Sequence, residues 1–323
     1  MSDLGKVLVL AGGVSFEREV SLASGRRVTD ALCALGVDAE LVDVDASLLD
    51  RLLEDPPDAV FIAMHGNEGE DGALRDVLDI AGVPYVGASG AAARLAFDKT
   101  VAKAVVSAAG IDVPASVAFS HTAVRDLGGP RLLERAATRL RLPLVVKPAR
   151  GGSALGLTIV RDLAELAPAL VTCFSYDSLA VLEEYVAGVE IAVGVIDEPS
   201  SGEARALPPV EIHPLSGVFD YAARYTAGKT EYHVPARLDR EHLDRAQAIA
   251  VRAHRALGLR DLSRTDLIVA PDGRIVYLET NVAPGMTATS LLPLAARHVG
   301  LDIGALCRDL LWKAANQRTA AAP

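Results

Sequence analysis

The chain has 323 residues, room for about two domains with real cores, and its hydrophobic (50%) and charged (23%) fractions are those of a packed globular protein, which excludes disorder and low-complexity architectures. With 32 Lys plus Arg against 42 Asp plus Glu, the formal charge is −10 and aromatics are only 4%, so general attraction to nucleic acid or anionic lipid is disfavoured and any bound anion needs a local basic cluster. Cys33, Cys173 and Cys307 are odd in number and outside any C-x-x-C spacing, so reduced thiols are expected rather than a disulfide framework or a zinc site.

The opening MSDLGKVLVLAGG has no small-residue cleavage pattern, and no run of about 18 apolar residues follows anywhere, which predicts a cytoplasmic protein with no membrane span. Val7 to Ala11 reads as a buried strand ending at Gly12 and Gly13, and Glu17 to Leu35 has apolar residues at helical spacing. The alternation continues with strands near Ala39 to Val44 and Ala59 to Met64, helices near Leu48 to Leu53 and Leu74 to Ala81, and one long helix from Ala91 to Ala109. Strands separated by helices predict a parallel sheet covered on both faces. Beyond Pro114 the pattern becomes α+β, with strands Leu144 to Lys147, Leu157 to Val160, Leu179 to Val186 and Ile191 to Ile196, and a helix Leu163 to Cys173. Pro214 to Pro235 reads as a loop, followed by a helix Glu241 to Leu257, strands Asp266 to Val269 and Ile275 to Glu279, and two C-terminal helices.

Four segments could carry chemistry. In AGGVSFEREVS the glycines permit a tight turn before a helix N-terminus, a place for a carboxylate, although Glu17 and Glu19 equally suit the positive end of the helix dipole. In LVVKPARGGSALG a strand delivers Lys147 to a glycine loop carrying Ser153, which suits phosphate oxygens, yet the P-loop spacing and the G-x-S-x-G elbow are both missing. In SRTDLIV and VYLETNVAPGMT, strand alternation puts Arg264 with Asp266 and Glu279 with Asn281. If those strands are neighbours, three oxygen donors suit Mg²⁺ beside nucleotide phosphates, with Arg264 free to stabilise developing negative charge; a surface ion-pair ladder is the other reading. His65, at the end of a predicted strand in AMHGNEGEDG, stands where open α/β sheets collect ligand groups, though an isolated histidine is more often structural. Glu183, Glu184 and Glu190 could meet the polar parts of a nucleoside or face solvent.

In this order GGVSFEREVS, MHGNEGEDG, the FDK around Lys99, VVKPARGGSALG, DYAARYTAGKTEY, SRTD and ETNVAPGMTATSLLP resemble the D-alanine-D-alanine ligase family of the ATP-grasp superfamily over nearly the whole chain. The resemblance implies an ATP-grasp fold of mixed α/β and α+β class. An N-terminal Rossmann-like preATP-grasp domain of parallel sheet would span 1–113, a central subdomain 114–197 and a C-terminal subdomain 198–323, the last with a mobile loop at about 214–235. It implies that Lys99, Lys147 and Arg224 hold ATP phosphates, with Glu183 by the adenine and Glu190 by the ribose. Asp266, Glu279 and Asn281 would hold two Mg²⁺ ions, for which Mn²⁺ could substitute. Glu17 would receive the ammonium of the first D-alanine and His65 would lie near its carboxylate. Ser290 and Leu291 would bind the carboxylate of the second, while Ser153 and Tyr225 would join Glu17 in a hydrogen-bonded set. Arg264 and the N–H of Gly285 would stabilise a tetrahedral oxyanion.

The implied reaction is ligation through an acylphosphate for peptidoglycan precursor synthesis, by a homodimer whose N-terminal part forms the interface. Arg224 stands where the family often has lysine, and Ala154 where it often has serine. Relatives that make D-alanyl-D-lactate usually lack the tyrosine matching Tyr225, so its presence favours an amine as second nucleophile. Use of D-serine, D-lactate or another D-amino acid in one site, and a non-catalytic nucleotide-binding regulator, are the competing readings.

Overall fold

The computed structural model of the chain describes residues 4–321 apart from 216, 218, 220–222, 225 and 227. Among the described residues three β-sheets carry the fold. The first comprises β1 (Val7–Ala11), β2 (Ala39–Asp43), β3 (Ala59–Ile62) and β4 (Tyr85–Val86) in the order β2-β1-β3-β4, every pair parallel. Both β1 and β3 are buried along their whole length, as strands covered on two faces must be. Val7, Val9 and Phe61 enter one core and Leu8, Leu10 and Ile62 the other. The helix Arg18–Ala34 buries Ser21, Ser24, Gly25, Val28 and Leu32, a stripe at spacings of three and four that faces this sheet.

The expected long helix is two helices, Gly90–Phe97 and Lys99–Ala108. Asp98 is extended between them, and its carboxylate accepts the N–H groups of Thr100 and Val101. An N-cap inside an apolar periodicity restarts the helix and places Lys99 in its first turn.

The second sheet contains β5 (Ser116–Ser120), β6 (Leu144–Pro148), β7 (Thr158–Val160) and β8 (Leu179–Glu184), antiparallel in the order β5-β8-β6-β7. The third has β9 (Val189–Asp197), β10 (Ala204–Ala206), β11 (Val210–Pro214), β12 (Thr230–His233), β13 (Leu262–Val269) and β14 (Ile275–Asn281). Its order is β12-β11-β9-β13-β14, with β10 paired to β9.

Three expectations change here. The strand expected to close the central part is β9, and it is central to the third sheet, paired with β13 from Val189↔Val269 to Ile196↔Leu262. The change of sheet therefore falls after β8 rather than at 197. The segment read as a loop from Pro214 to Pro235 contains β12, which pairs with β11. Nor does the first section keep to itself: Ala92, Ala93, Ala102 and Val106 pack into one core with β9, β13, β14 and the helix Arg240–Ala256. Conversely Leu306, Leu310 and Leu311 of the C-terminal helix pack with β1, β3 and the helix Arg18–Ala34. Periodicity reports that a face is buried and is silent on what buries it.

Candidate active site

Two cavities open between the sheets. One, of about 350 Å³, is lined by Lys147, Glu183, Tyr185, Glu190 and Asp266. The other, of about 740 Å³, is lined by Glu17, His65, Ser153, Gly285, Ser290 and Leu291, together with Arg264 and Asn281. They meet at Lys99, Arg224 and Glu279, which line both. Every described residue named above as a site candidate lines one or both cavities; Tyr225 lies outside the described residues.

The β1 turn and the glycine loop close on each other. Glu17 precedes the helix Arg18–Ala34 and is only 9% exposed; Ser153 Oγ donates to its Oε1. A Cβ on Gly152 would lie 2.6 Å from Glu17 Oε2, so the loop can approach that carboxylate only with glycine there. A buried carboxylate with one oxygen engaged by a hydroxyl is suited to an ammonium ligand.

On the other side of the loop, β6 delivers Lys147 against β8. Its Nζ lies 2.5 Å from Glu183 Oε1, and Lys103 bonds the other oxygen. Burial alone would raise the Glu183 pKa, but Lys147 and Lys103 outweigh it and hold the carboxyl below its ordinary range. Burial would lower the Lys147 pKa, and Glu183 with Glu279 reverse that and raise it, so this lysine stays charged. Lys103 is pushed down to about 8 by burial and then by Lys147. With both oxygens occupied by lysines, Glu183 supports Lys147. Lys103 was not singled out from sequence; its signal is the i, i+4 spacing from Lys99 on one helix.

Lys99 Nζ donates to Gly151 O at 2.7 Å and lies 3.4 Å from Glu279 Oε2, tying the glycine loop to β14. The antiparallel ladder pairs Arg264 with Asn281 and Asp266 with Glu279, the convergence that strand alternation predicted. Arg264 donates to both oxygens of Asp266, at 2.8 and 2.9 Å. Burial would raise the Glu279 pKa, but Lys99, Lys147 and the arginines pull it down to about 2. Glu190, near the start of β9, is pushed up to about 7 by burial, which exceeds the opposing effect of Arg224. The Arg224 guanidinium carbon sits 4.4 Å from the centroid of the Phe219 ring.

Asp266, Glu279 and Asn281 offer only hard oxygen donors. Among the described residues no three His, Cys, Asp or Glu side chains gather as a metal site. Two carboxylates and an amide fit Mg²⁺ only when other oxygen ligands such as phosphates complete the shell, and the smaller cavity, bounded by Asp266 and Glu279, leaves room for them.

His65 is 4% exposed, its Nε2 2.9 Å from Ser24 Oγ and its Nδ1 3.0 Å from Ala283 O. Each ring nitrogen makes one hydrogen bond within the protein, which fixes the ring in place where it lines the larger cavity. Glu70 was also missed: it lines the larger cavity, accepts the Gly66 N–H at 3.1 Å, and is pushed up to about 8 by burial and then by Glu17. Ser290 Oγ accepts the N–H of Thr287 at 3.0 Å and precedes the helix Leu291–His298, so this hydroxyl stands at a helix N-terminus facing the larger cavity.

A family described as "D-ala D-ala ligase C-terminus" matches residues 105–312. The chain is 44% identical over 310 residues to a D-alanine-D-alanine ligase of Anaeromyxobacter sp. (strain Fw109-5), covering 96% of this chain and 97% of that protein. It is 38% identical to the same-named protein of Pseudomonas fluorescens (strain Pf0-1), covering 96% and 91%. Among solved structures it is similar to the VanG D-Ala:D-Ser ligase of Enterococcus faecalis, with TM-score 0.82, 31% identity and coverage of 96% and 99%. A D-alanine-D-alanine ligase of Bacillus anthracis complexed with ATP gives TM-score 0.79, 28% identity and coverage of 99% and 100%.

Proposed function

The chain belongs to the D-alanine-D-alanine ligase family, and from that premise we infer that it is an ATP-dependent ligase that joins two D-alanines for peptidoglycan precursor synthesis. The observation that carries this reading is the meeting of the two cavities at Lys99, Arg224 and Glu279. One cavity accommodates a nucleotide and the other two small zwitterions, with cationic groups where the phosphoryl group must pass.

ATP enters the smaller cavity with its ribose by Glu190 and its phosphates toward Lys147, Lys99 and Arg224. Adenine lies beside the β8 end, near the backbone of Glu184 to Val186. The first D-alanine places its ammonium on Glu17, whose burial and bond to Ser153 support that role. One of its carboxylate oxygens attacks the γ-phosphorus, the bond to the β-phosphate oxygen breaks, and ADP leaves an acylphosphate. The amine of the second D-alanine, whose carboxylate is held at Ser290 and the start of the Leu291 helix, attacks the acyl carbon. The carbon–nitrogen bond forms, phosphate departs with the proton lost by nitrogen, and the dipeptide remains.

Arg264, fixed by Asp266, and the N–H of Gly285 face the charge that develops on the acyl oxygen, where one such donor is worth roughly 3–4 kcal/mol. Asp266, Glu279 and Asn281 would hold Mg²⁺, which when bound neutralises phosphate charge. Exclusion of water preserves the acylphosphate, and Tyr225 belongs to the closing set in this proposal. No helix among the described residues is long and apolar enough to cross a membrane, and we assign the reaction to the cytoplasm, where ATP is supplied. A homodimer joined through the N-terminal part is also proposed; exposed Leu49, Leu53 and Ile80 there are its support, and sedimentation tests it.

The test is ADP release with ATP and Mg²⁺, comparing D-alanine, L-alanine and D-alanine with D-serine, with products identified by mass. Dipeptide formed only from D-alanine is the expected result. ATP binding without D-alanine-stimulated ADP release would refute the substrate assignment and favour a non-catalytic nucleotide-binding role. A D-alanyl-D-serine product as abundant as the D-alanine dipeptide would move the second site toward the specificity named for the Enterococcus faecalis neighbour.

A further inference from the structure

The turn between β14 and the helix Leu291–His298 carries Gly285, yet no β-ladder supports it. Its backbone is held by side chains instead, and most come from the N-terminal section. Arg27, on the helix Arg18–Ala34, donates from one guanidinium nitrogen to Met286 O at 2.8 Å and Thr287 O at 2.5 Å. Ser24, one turn earlier on the same helix, accepts the Met286 N–H at 3.1 Å. His65 bonds Ala283 O at 3.0 Å. Asn281 Oδ1 accepts the Ala283 N–H at 2.7 Å from the near side.

The proton order of this relay follows from its ends. A carbonyl can only accept, so His65 must carry hydrogen on Nδ1 and donate it to Ala283. Its neutral Nε2 then accepts, which requires the Ser24 hydroxyl to donate to it while its oxygen receives the Met286 N–H. Burial lowers the His65 pKa despite the opposing charge of Glu17, in keeping with a neutral ring. Ser24 is fully buried, so the relay is shielded from competing water.

We propose that Arg27 and Ser24 are positioning residues for the second half-reaction: they clamp the 283–287 turn so that the Gly285 N–H points at the acyl oxygen as it becomes negatively charged. This rests on the ligase reading above. The clamp acts on one step. Transfer of the γ-phosphoryl group to a carboxylate leaves the acyl carbon trigonal. When the second amine adds, the new carbon–nitrogen bond pushes an electron pair onto the acyl oxygen. Collapse then expels phosphate, which carries away the proton from nitrogen. Only the addition needs the Gly285 donor, and misplacement by about 1 Å costs about 100-fold at such a site. The first half-reaction should pass unaltered, and the acylphosphate should then be lost to water.

The readout is dipeptide formed per ADP released, measured in the same samples of the full chain with saturating ATP, Mg²⁺ and D-alanine. Wild type should give about one. Arg27→Met and Ser24→Ala should lower dipeptide formation about 10- to 100-fold, retain ADP release, and keep KM for ATP within about twofold, so the ratio collapses. Arg27→Lys, with one donor group of the same charge, should recover part of the ratio. Should Arg27→Met fail to fold, Arg27→Lys and Ser24→Ala carry the test through the same ratio. A ratio that stays near one in the folded variants, whatever their rates, overturns the clamp and leaves the ligase reading standing. Absence of dipeptide from wild type overturns both.

Discussion

Replacing Glu183 with Gln removes a carboxylate bonded to two buried lysines, Lys103 and Lys147, whose side chains are 5% and 8% exposed. Removing one partner of a buried ion pair costs about 3–5 kcal/mol, because a charge is left without compensation. A second argument sets a ceiling for each lysine. A lysine can always shed its proton on folding, and the distance from its ordinary pKa of 10.5 to pH 7 is worth about 5 kcal/mol at about 1.4 kcal/mol per pH unit.

Lys103, already lowered to about 8 in the intact site, is the group that should give way. The unfolded variant then binds more protons than the folded one, so its stability must rise with pH. By pH 9.5 the same deprotonation costs only about 1.4 kcal/mol; wild-type Lys103 also sheds its proton above pH 8, so the two proteins differ only between pH 7 and about 8, and the deficit should shrink by about 1.4 kcal/mol. Urea unfolding of both proteins at pH 7 and pH 9.5 measures this. A deficit below about 1 kcal/mol, or one that is the same at both pH values, would refute the claim that these charges are coupled in a dry site.

Glu190 titrates at about 7, so if its carboxylate accepts ribose hydroxyls, apparent ATP affinity should fall severalfold between pH 8 and pH 6, whereas Glu190→Gln should bind more weakly with a flat profile; calorimetry over that range decides. Asp266→Asn leaves buried Arg264 with a neutral partner in place of a carboxylate, and should reduce ADP release at least about 100-fold and stability by about 3 kcal/mol, read by coupled assay and by unfolding without ATP; an unchanged ADP-release rate would count against the metal assignment. In Gly188→Ala the new Cβ would lie 2.3 Å from Val269 O, a backbone atom that cannot step aside, so a loss of about 2–3 kcal/mol is expected. At Gly36, with a positive φ and open space around it, the same change should cost only about 1 kcal/mol. Equal thermal shifts for the two alanine variants would contradict the packing argument.

The amino-acid sequence by itself determined much of this protein. Apolar runs at β1 and β3 and the amphipathic helix between β1 and β2 announce a parallel sheet. Alternation along SRTD and ETN placed Arg264, Asp266, Glu279 and Asn281 on facing sides, because side-chain direction in a strand has period two whatever surrounds it. Glycine loops and family motifs named the charged and polar side chains on which the site reading rests, while lining residues such as Tyr185, Glu211 and Phe219 were not singled out.

What only the tertiary structure decided is which element covers which. Whether β9 belongs with β8 or with β13, and that Asp98 caps a second helix, depend on partners distant along the chain. The same holds for the charge states: Glu190, Glu70 and Lys103 depart from their ordinary pKa values first through burial, and burial is a property of the assembled chain. His65 shows the distinction most directly. Its position in the motif marks it as a site residue, while the serine and carbonyl that take its two ring nitrogens lie 41 and 218 residues away in the chain, a separation that no local pattern encodes.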